Sequence, residues 1–195
     1  MSAEARRRFG RRGSPHGGRG MSIFIFFLGT LVFAYFSWRY AIVNPRRQGP
    51  YRFVVFEGIL ALVLMNADAW FVAPGAPVQV LSWIAFALSI YLAIAGFALL
   101  RGRGRPQGHF EYTTVLVTDN VYRCIRHPMY ASLFLLAFGA YLKQPASAPA
   151  LAVFAIIAVA VYLTAKAEEQ DTLEAFGAAY ATYMKTSKMF IPFVL

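Results

Sequence analysis

Five stretches of mostly apolar residues alternate with short segments rich in Arg, Lys, Pro and Gly, and this alternation constrains the chain more than any other feature. A helix crossing ~30 Å of hydrocarbon at ~1.5 Å per residue needs roughly 20 apolar residues. Residues 21–43, 53–73, 78–100 and 148–167 have that length, and 128–142 is shorter. The composition agrees: 58% of the 195 residues are hydrophobic and 14% are charged, whereas ordinary soluble domains carry ~25% charged residues. A soluble domain of this size has too small an interior to hide so much apolar surface. Disordered, collagenous and disulfide-scaffold chains are excluded by 18 phenylalanines and a single cysteine, Cys124. The expected fold is all-α: a polytopic membrane protein of about five transmembrane helices.

Positive charge sets the expected orientation, because Lys and Arg favour the cytoplasmic side. Arg39, near the end of the first span, is followed by Arg46, Arg47 and Arg52. Arg101, Arg103, Arg105, Arg123 and Arg126 follow the third span, and Lys166 at the end of the fifth is followed by Lys185 and Lys188. The 74–77 loop has no charge and the 143–147 turn has only Lys143. Five spans put all three basic segments on one side, taken as the cytoplasm. The Ala- and Arg-rich composition fits a bacterial inner membrane. Residues 1–20 oppose this orientation, with six arginines and Glu4 accounting for half of the net charge of +10. They lack the apolar core of a signal peptide. They are expected to be a disordered basic tail or an extension ahead of a natural start at Met21, leaving 21–195 as one membrane domain. A nucleic-acid role is not expected of them.

Ionisable residues inside spans are costly and are functional candidates by default. Glu57 is one, either as a site residue or paired with Arg52. Asp68, near the outer end, reads as solvated. The segment from Val121 to Tyr130 is more informative. Pro128 suits the first turn of a helix, which places His127 at its cap. The dipole end of that helix, flanked by Arg126 and His127, suits an anion. The plainer reading is an Arg/His pair reaching to lipid headgroups. After the fifth span, Glu169, Leu173, Phe176, Tyr180 and Tyr183 recur at helical spacing. The last span therefore extends past the membrane, with Gly177 bending or interrupting it. The plainer alternative is an amphipathic surface helix anchored by tyrosines. A tight 143–147 turn makes the last two spans an antiparallel hairpin, so both clusters lie at one end. Basic groups, carboxylates and aromatic faces together suit a zwitterionic nucleotide carrying a sulfonium.

Arg126-His127-Pro128-Met129-Tyr130, then Glu168-Glu169, Leu173, Phe176-Gly177, Tyr180, Tyr183 and Ile191-Pro192-Phe193 resemble the isoprenylcysteine carboxyl methyltransferase family, over roughly residues 113–193. The phospholipid methyltransferases are also similar. Asn120 stands where that family usually has glycine, a substitution that Asn's tolerance of left-handed backbone allows. The resemblance implies a multi-span enzyme using S-adenosylmethionine on the cytoplasmic side. His127, Pro128, Tyr130, Glu168, Glu169 and Tyr180 would line the cofactor pocket, and Arg126 would hold or orient a carboxylate. The methyl group would pass in line to oxygen or nitrogen of a lipophilic acceptor, such as a prenylated cysteine carboxylate, arriving from the bilayer. A carboxylate acceptor needs no general base, so alignment and desolvation would carry the catalysis. Alternatives are a phospholipid or amine N-methyltransferase, an NADPH-dependent reductase on the same scaffold with Arg101, Arg103 and Arg105 binding phosphate, and a non-enzymatic membrane protein. No HExxH, CxxC or paired-Cys spacing points to a metal, and Gly102-Arg103-Gly104 opens no Rossmann unit.

Overall fold

The computed structural model describes residues 16–43, 49–107 and 113–191, with the side chains of 16–19 and 37–43 outside that description. The expectations for Arg6 to Arg12, Arg39, Arg46, Arg47, Pro192 and Phe193 therefore fall outside the described side chains. Among the described residues the chain is helical: α1 His16–Val43, α2 Gly49–Met65, α3 Pro77–Arg103, α4 Val121–Cys124, α5 Pro128–Tyr141, α6 Ala148–Phe176 and α7 Ala178–Thr186. The one extended pairing among them is a parallel bridge between Ile125 and Lys188.

Two helices, α3 and α6, are long and apolar enough to cross a membrane, and α1 contributes a shorter apolar stretch. Their outward faces are bare, as at Ile84, Leu88 and Ile94 on α3 and Phe24, Phe27 and Leu31 on α1. Apolar surface of that extent requires a nonaqueous cover. Inward, α3 packs along α5, α2 along α6 and α1 along α2, while α5 also touches α2 and α6. Leu62 and Val55 of α2 meet Ile157 and Val161 of α6 in a core sealed from solvent. Glu57 on α2 accepts the Thr30 hydroxyl of α1, which ties two helices together. Asp68 is exposed.

Helix α2 stops at Met65, eight residues short of the 53–73 span read from hydropathy. The cause is a tertiary contact. Asn66 is buried, and its Nδ2 donates to the Ala140 carbonyl of α5 at 2.8 Å. A short 3-10 turn, Ala67–Ala69, then folds the chain back so that Trp70 stacks on Phe86 of α3, with centroids 5.2 Å apart. At the other ends, α1 starts at His16, ahead of Met21, and α6 runs on to Phe176 as its spacing anticipated.

The α3–α5 seam fixes how α5 is presented. Ser82 and Ser89 donate to the carbonyls of Gly139 and Ser132, both at 2.7 Å. Small residues and hydroxyls on one helix reaching carbonyls on the next are the usual glue between helices in lipid. Beyond them, Lys143 is 3% exposed. Its Nζ donates to Gln79 at 3.1 Å and lies 3.7 Å from the Trp83 ring centroid, while Gln79 Nε2 returns a bond to the Lys143 carbonyl at 3.2 Å. At the opposite end Gly96 leaves room for Pro128 and Met129, the first turn of α5. A seam closed at both ends holds α5 in register.

Candidate active site

The approach to α5 is a tight turn. The Asp119 carbonyl accepts from Tyr122 N at 3.1 Å, with Asn120 at φ 54° and ψ −124°. The positive φ agrees with a glycine-like position. The ψ does not belong to the left-handed helical region, however, but to the first corner of a type II′ turn, which glycine dominates. Asn120→Gly is accordingly expected to stabilise the protein by about 1 kcal/mol, read as a higher melting temperature in detergent. An unchanged or lower melting temperature would show that the asparagine side chain compensates. From this turn Tyr122 points inward, its hydroxyl donating to the Gly96 carbonyl at 3.4 Å and its own carbonyl accepting the Tyr183 hydroxyl.

His127 caps α5 and Pro128 takes its first position. Because proline lacks an N–H, it fits where the first helical donors have no intrahelical partner. A cavity of about 720 Å³ opens against this helix start, within the size range of small-molecule sites. Arg126, His127, Pro128, Tyr130, Glu168 and Tyr180 all line it. Glu169 does not line it: it lies behind Arg126 and His127 and is 3% exposed. Tyr130 donates to Glu168 Oε2, and His127 Nδ1 is 3.9 Å from Glu168 Oε1. His127 is 5% exposed, and its Nε2 has no hydrogen-bond partner among the described residues.

Glu169 receives Arg126 Nε at 2.8 Å and Lys166 Nζ at 3.1 Å. His127 Nε2 stands 3.6 Å from its Oε1, too far for a good hydrogen bond but close enough for electrostatic coupling. Beyond the apolar stretch of α6, burial alone would raise this carboxyl. The contacts of His127, Arg126 and Lys166 outweigh burial and hold it down at about 2. Burial pushes the Tyr122 and Tyr180 hydroxyls up, nearby carboxylates adding to it, and pushes Tyr183 up to about 12 despite its contact with Ser187. These tyrosines are neutral donors and aromatic faces near neutral pH, not bases.

The Gly177 break, at φ 53° and ψ −127°, separates α6 from α7 and turns the tyrosine face inward, so that Tyr180 and Tyr183 are both buried with rings 5.8 Å apart. Sequence spacing did not reveal that α2 and α3 also build the cavity, through Arg52, Phe56, Ala93 and Leu100, together with Leu133 of α5. Apolar wall positions inside a span look like any lipid-facing residue, so no local signal distinguishes them. The cavity is thus lined by carboxylates, tyrosines and a buried imidazole beside a helix N-terminus, and also by apolar side chains of α2, α3 and α5. Among the described residues no cluster of three or more His, Cys, Asp and Glu is suited to hold a metal ion.

The family model described as phospholipid methyltransferase matches residues 77–179, which run from the start of α3 into α7. Among curated proteins, no significant match to the chain is found.

Proposed function

Since the chain belongs to the phospholipid methyltransferase family, within the membrane methyltransferases that are like the isoprenylcysteine carboxyl methyltransferases, we propose that it transfers a methyl group from S-adenosylmethionine to a lipophilic acceptor. One observation carries this reading: a single cavity is lined both by polar and aromatic groups and by apolar side chains. The polar and aromatic groups fit the cofactor. His127 lines the cavity, Glu168 offers a carboxylate to hydroxyls or a cation, and Tyr130 and Tyr180 offer ring faces on which a cation gains about 0.5–2 kcal/mol. When bound, S-adenosylmethionine supplies an electrophilic methyl group on a sulfonium.

The residues here would bind and align. His127, Pro128, Tyr130, Glu168 and Tyr180 hold the cofactor, with Arg126 beside them in the cavity wall and Glu169 behind it. Phe56, Ala93 and Leu133 exclude water from the acceptor's side. At 720 Å³ the cavity is that of one small-molecule site, so a long acyl or prenyl chain must remain in the bilayer while its head enters. A prenylated cysteine carboxylate fits this reading. A phospholipid amine is the second reading, favoured by the family match and by the two carboxylates, Glu168 and Asp171, that face the cavity. Carboxyl methylation yields an ester that alkali cleaves to methanol, whereas an N-methyl group survives alkali. Label from methyl-tritiated S-adenosylmethionine therefore separates the two acceptors.

The proposed topology has α1, α2, α3, α5 and α6 crossing a bacterial inner membrane, with α5 and α6 as a hairpin, residues 21–195 as one domain, and the cavity end in the cytoplasm. The lone Cys124 is exposed and adjoins that end, so an impermeant maleimide is expected to label inside-out vesicles and spare intact spheroplasts. The reverse pattern would invert the topology. The function itself is tested by calorimetric titration of the detergent-purified chain with S-adenosylmethionine and, separately, NADPH. Saturable S-adenosylmethionine binding is expected, weakened about tenfold or more by Glu168→Gln through loss of charge-assisted contacts. Binding of NADPH alone would favour a reductase, and binding of neither by folded protein would remove the enzymatic reading.

A further inference from the structure

Arg126 stands at the junction of three pieces of chain. Its Nε donates to Glu169 of α6 at 2.8 Å, and its Nη1 donates to the carbonyls of Met184, at 3.2 Å, and Ser187, at the end of α7. The backbone repeats the connection. Arg126 N donates to the Lys188 carbonyl at 2.7 Å, His127 N to the Met189 carbonyl at 3.1 Å, and Lys188 N to the Cys124 carbonyl at 3.2 Å. Residues 187–189 thus form a strap, in parallel register, along the segment that leads into α5. The strap is itself held down, because Ser187 and Met189 are buried and Met189 belongs to the same core cluster as Tyr130. It lies beyond residue 179, where the family match ends.

We infer that Arg126 is a positioning residue: through Glu169 and the 187–189 strap it sets His127 and the first turn of α5 against the cofactor, and it does not grip the acceptor. A planar guanidinium presents its donors in a rigid fork, and here Nε and Nη1 are engaged by a carboxylate and two carbonyls. Glu169 is behind the cavity wall, so its charge reaches a ligand only through the groups in front of it, Arg126 and His127. The His127 backbone is fixed by the strap and its ring stands 3.6 Å from Glu169. Displacing either partner of the ion pair therefore moves the imidazole that faces the cavity. The inference rests on the cavity being a site for S-adenosylmethionine.

Removing one member of a buried ion pair strands the other, whereas neutralising both removes the problem. The detergent-purified full chain is therefore compared as wild type, Arg126→Gln, Glu169→Gln and the double variant. The measurements are S-adenosylmethionine affinity by calorimetry, melting temperature, and amide hydrogen exchange at residues 126 and 127. Each single variant is expected to weaken affinity roughly 10- to 100-fold and to speed exchange at the two amides. The double variant, with two amides able to bond each other and the α7 carbonyls, is expected to regain affinity to within about fivefold of wild type. Wild-type affinity in folded Arg126→Gln overturns the inference, as does a double variant no better than the weaker single one. Melting shifts without any change in affinity overturn it too, since they mark a purely structural pair. Failure of wild-type protein to bind S-adenosylmethionine removes the functional reading instead. The exchange data then still decide whether the pair sets residues 126 and 127.

Discussion

Acidification from pH 5 to pH 2 is expected to remove about 3 kcal/mol of stability through Glu169 alone. Its carboxyl is held at about 2 when folded, against an ordinary value of 4.5. A depressed carboxyl contributes its full stabilisation above the unfolded value and loses it as the pH falls toward the folded one. The loss should therefore begin near pH 4.5 and be nearly complete at pH 2. Glu169→Gln should flatten the profile across that window and lower stability at pH 7, because Arg126 is then left buried without its counter-charge. Denaturant unfolding in detergent at several pH values, for both proteins, checks this. Parallel profiles would mean that the ion pair is not what titrates.

Gly139→Val is expected to cost about 3 kcal/mol and to disturb the cavity some distance away. A Cβ at position 139 would stand 2.7 Å from the Phe86 ring and 3.1 Å from the Ser82 carbonyl. Neither neighbour can give easily, since Phe86 is stacked on Trp70 and Ser82 belongs to the α3 backbone. The helices must separate, which lengthens the Ser82–Gly139 and Ser89–Ser132 bonds. Because α3 also supplies Ala93 and Leu100 to the cavity and seats Pro128 at Gly96, ligand affinity should fall with stability. The melting temperature and an S-adenosylmethionine titration of the variant are the measurements. A loss in one without the other would show that the seam and the cavity are mechanically independent.

Where a feature depends on neighbours in sequence, the sequence displays it. Pro128 after His127 marks the start of α5, and the Glu169-to-Tyr183 spacing marks the continuation of α6 and the bend at Gly177. Where it depends on distant chain, the sequence is silent. The end of α2 is set by Asn66 reaching Ala140, and a hydropathy pattern sees only one more polar residue near the end of a span. Spacing put Glu169 on the right face of its helix, but whether it lines the cavity or supports the wall depends on how α6 is rotated against residues 126–127. The strap is less visible still: Ser187, Lys188 and Met189 form no motif, and their pairing with residues 124–127 exists only once α6 and α7 have folded back.

The two ends of the helix seam are fastened by different chemistry. At the cavity end the first turn of α5 sits on Gly96, and the segment leading into it is tied to α6 by the Glu169 carboxylate. At the far end the Lys143 cation is held by an amide and by ring faces, groups that do not titrate in acid and that salt screens little. The molecule should therefore come apart in a set order. Acid near pH 2 would release the cavity end while the far end stays shut, producing a species hinged at Lys143 that has lost its ligand site but keeps its helices assembled. On return to neutral pH such a species would reclose about an intact pivot, without having to find its helix register again.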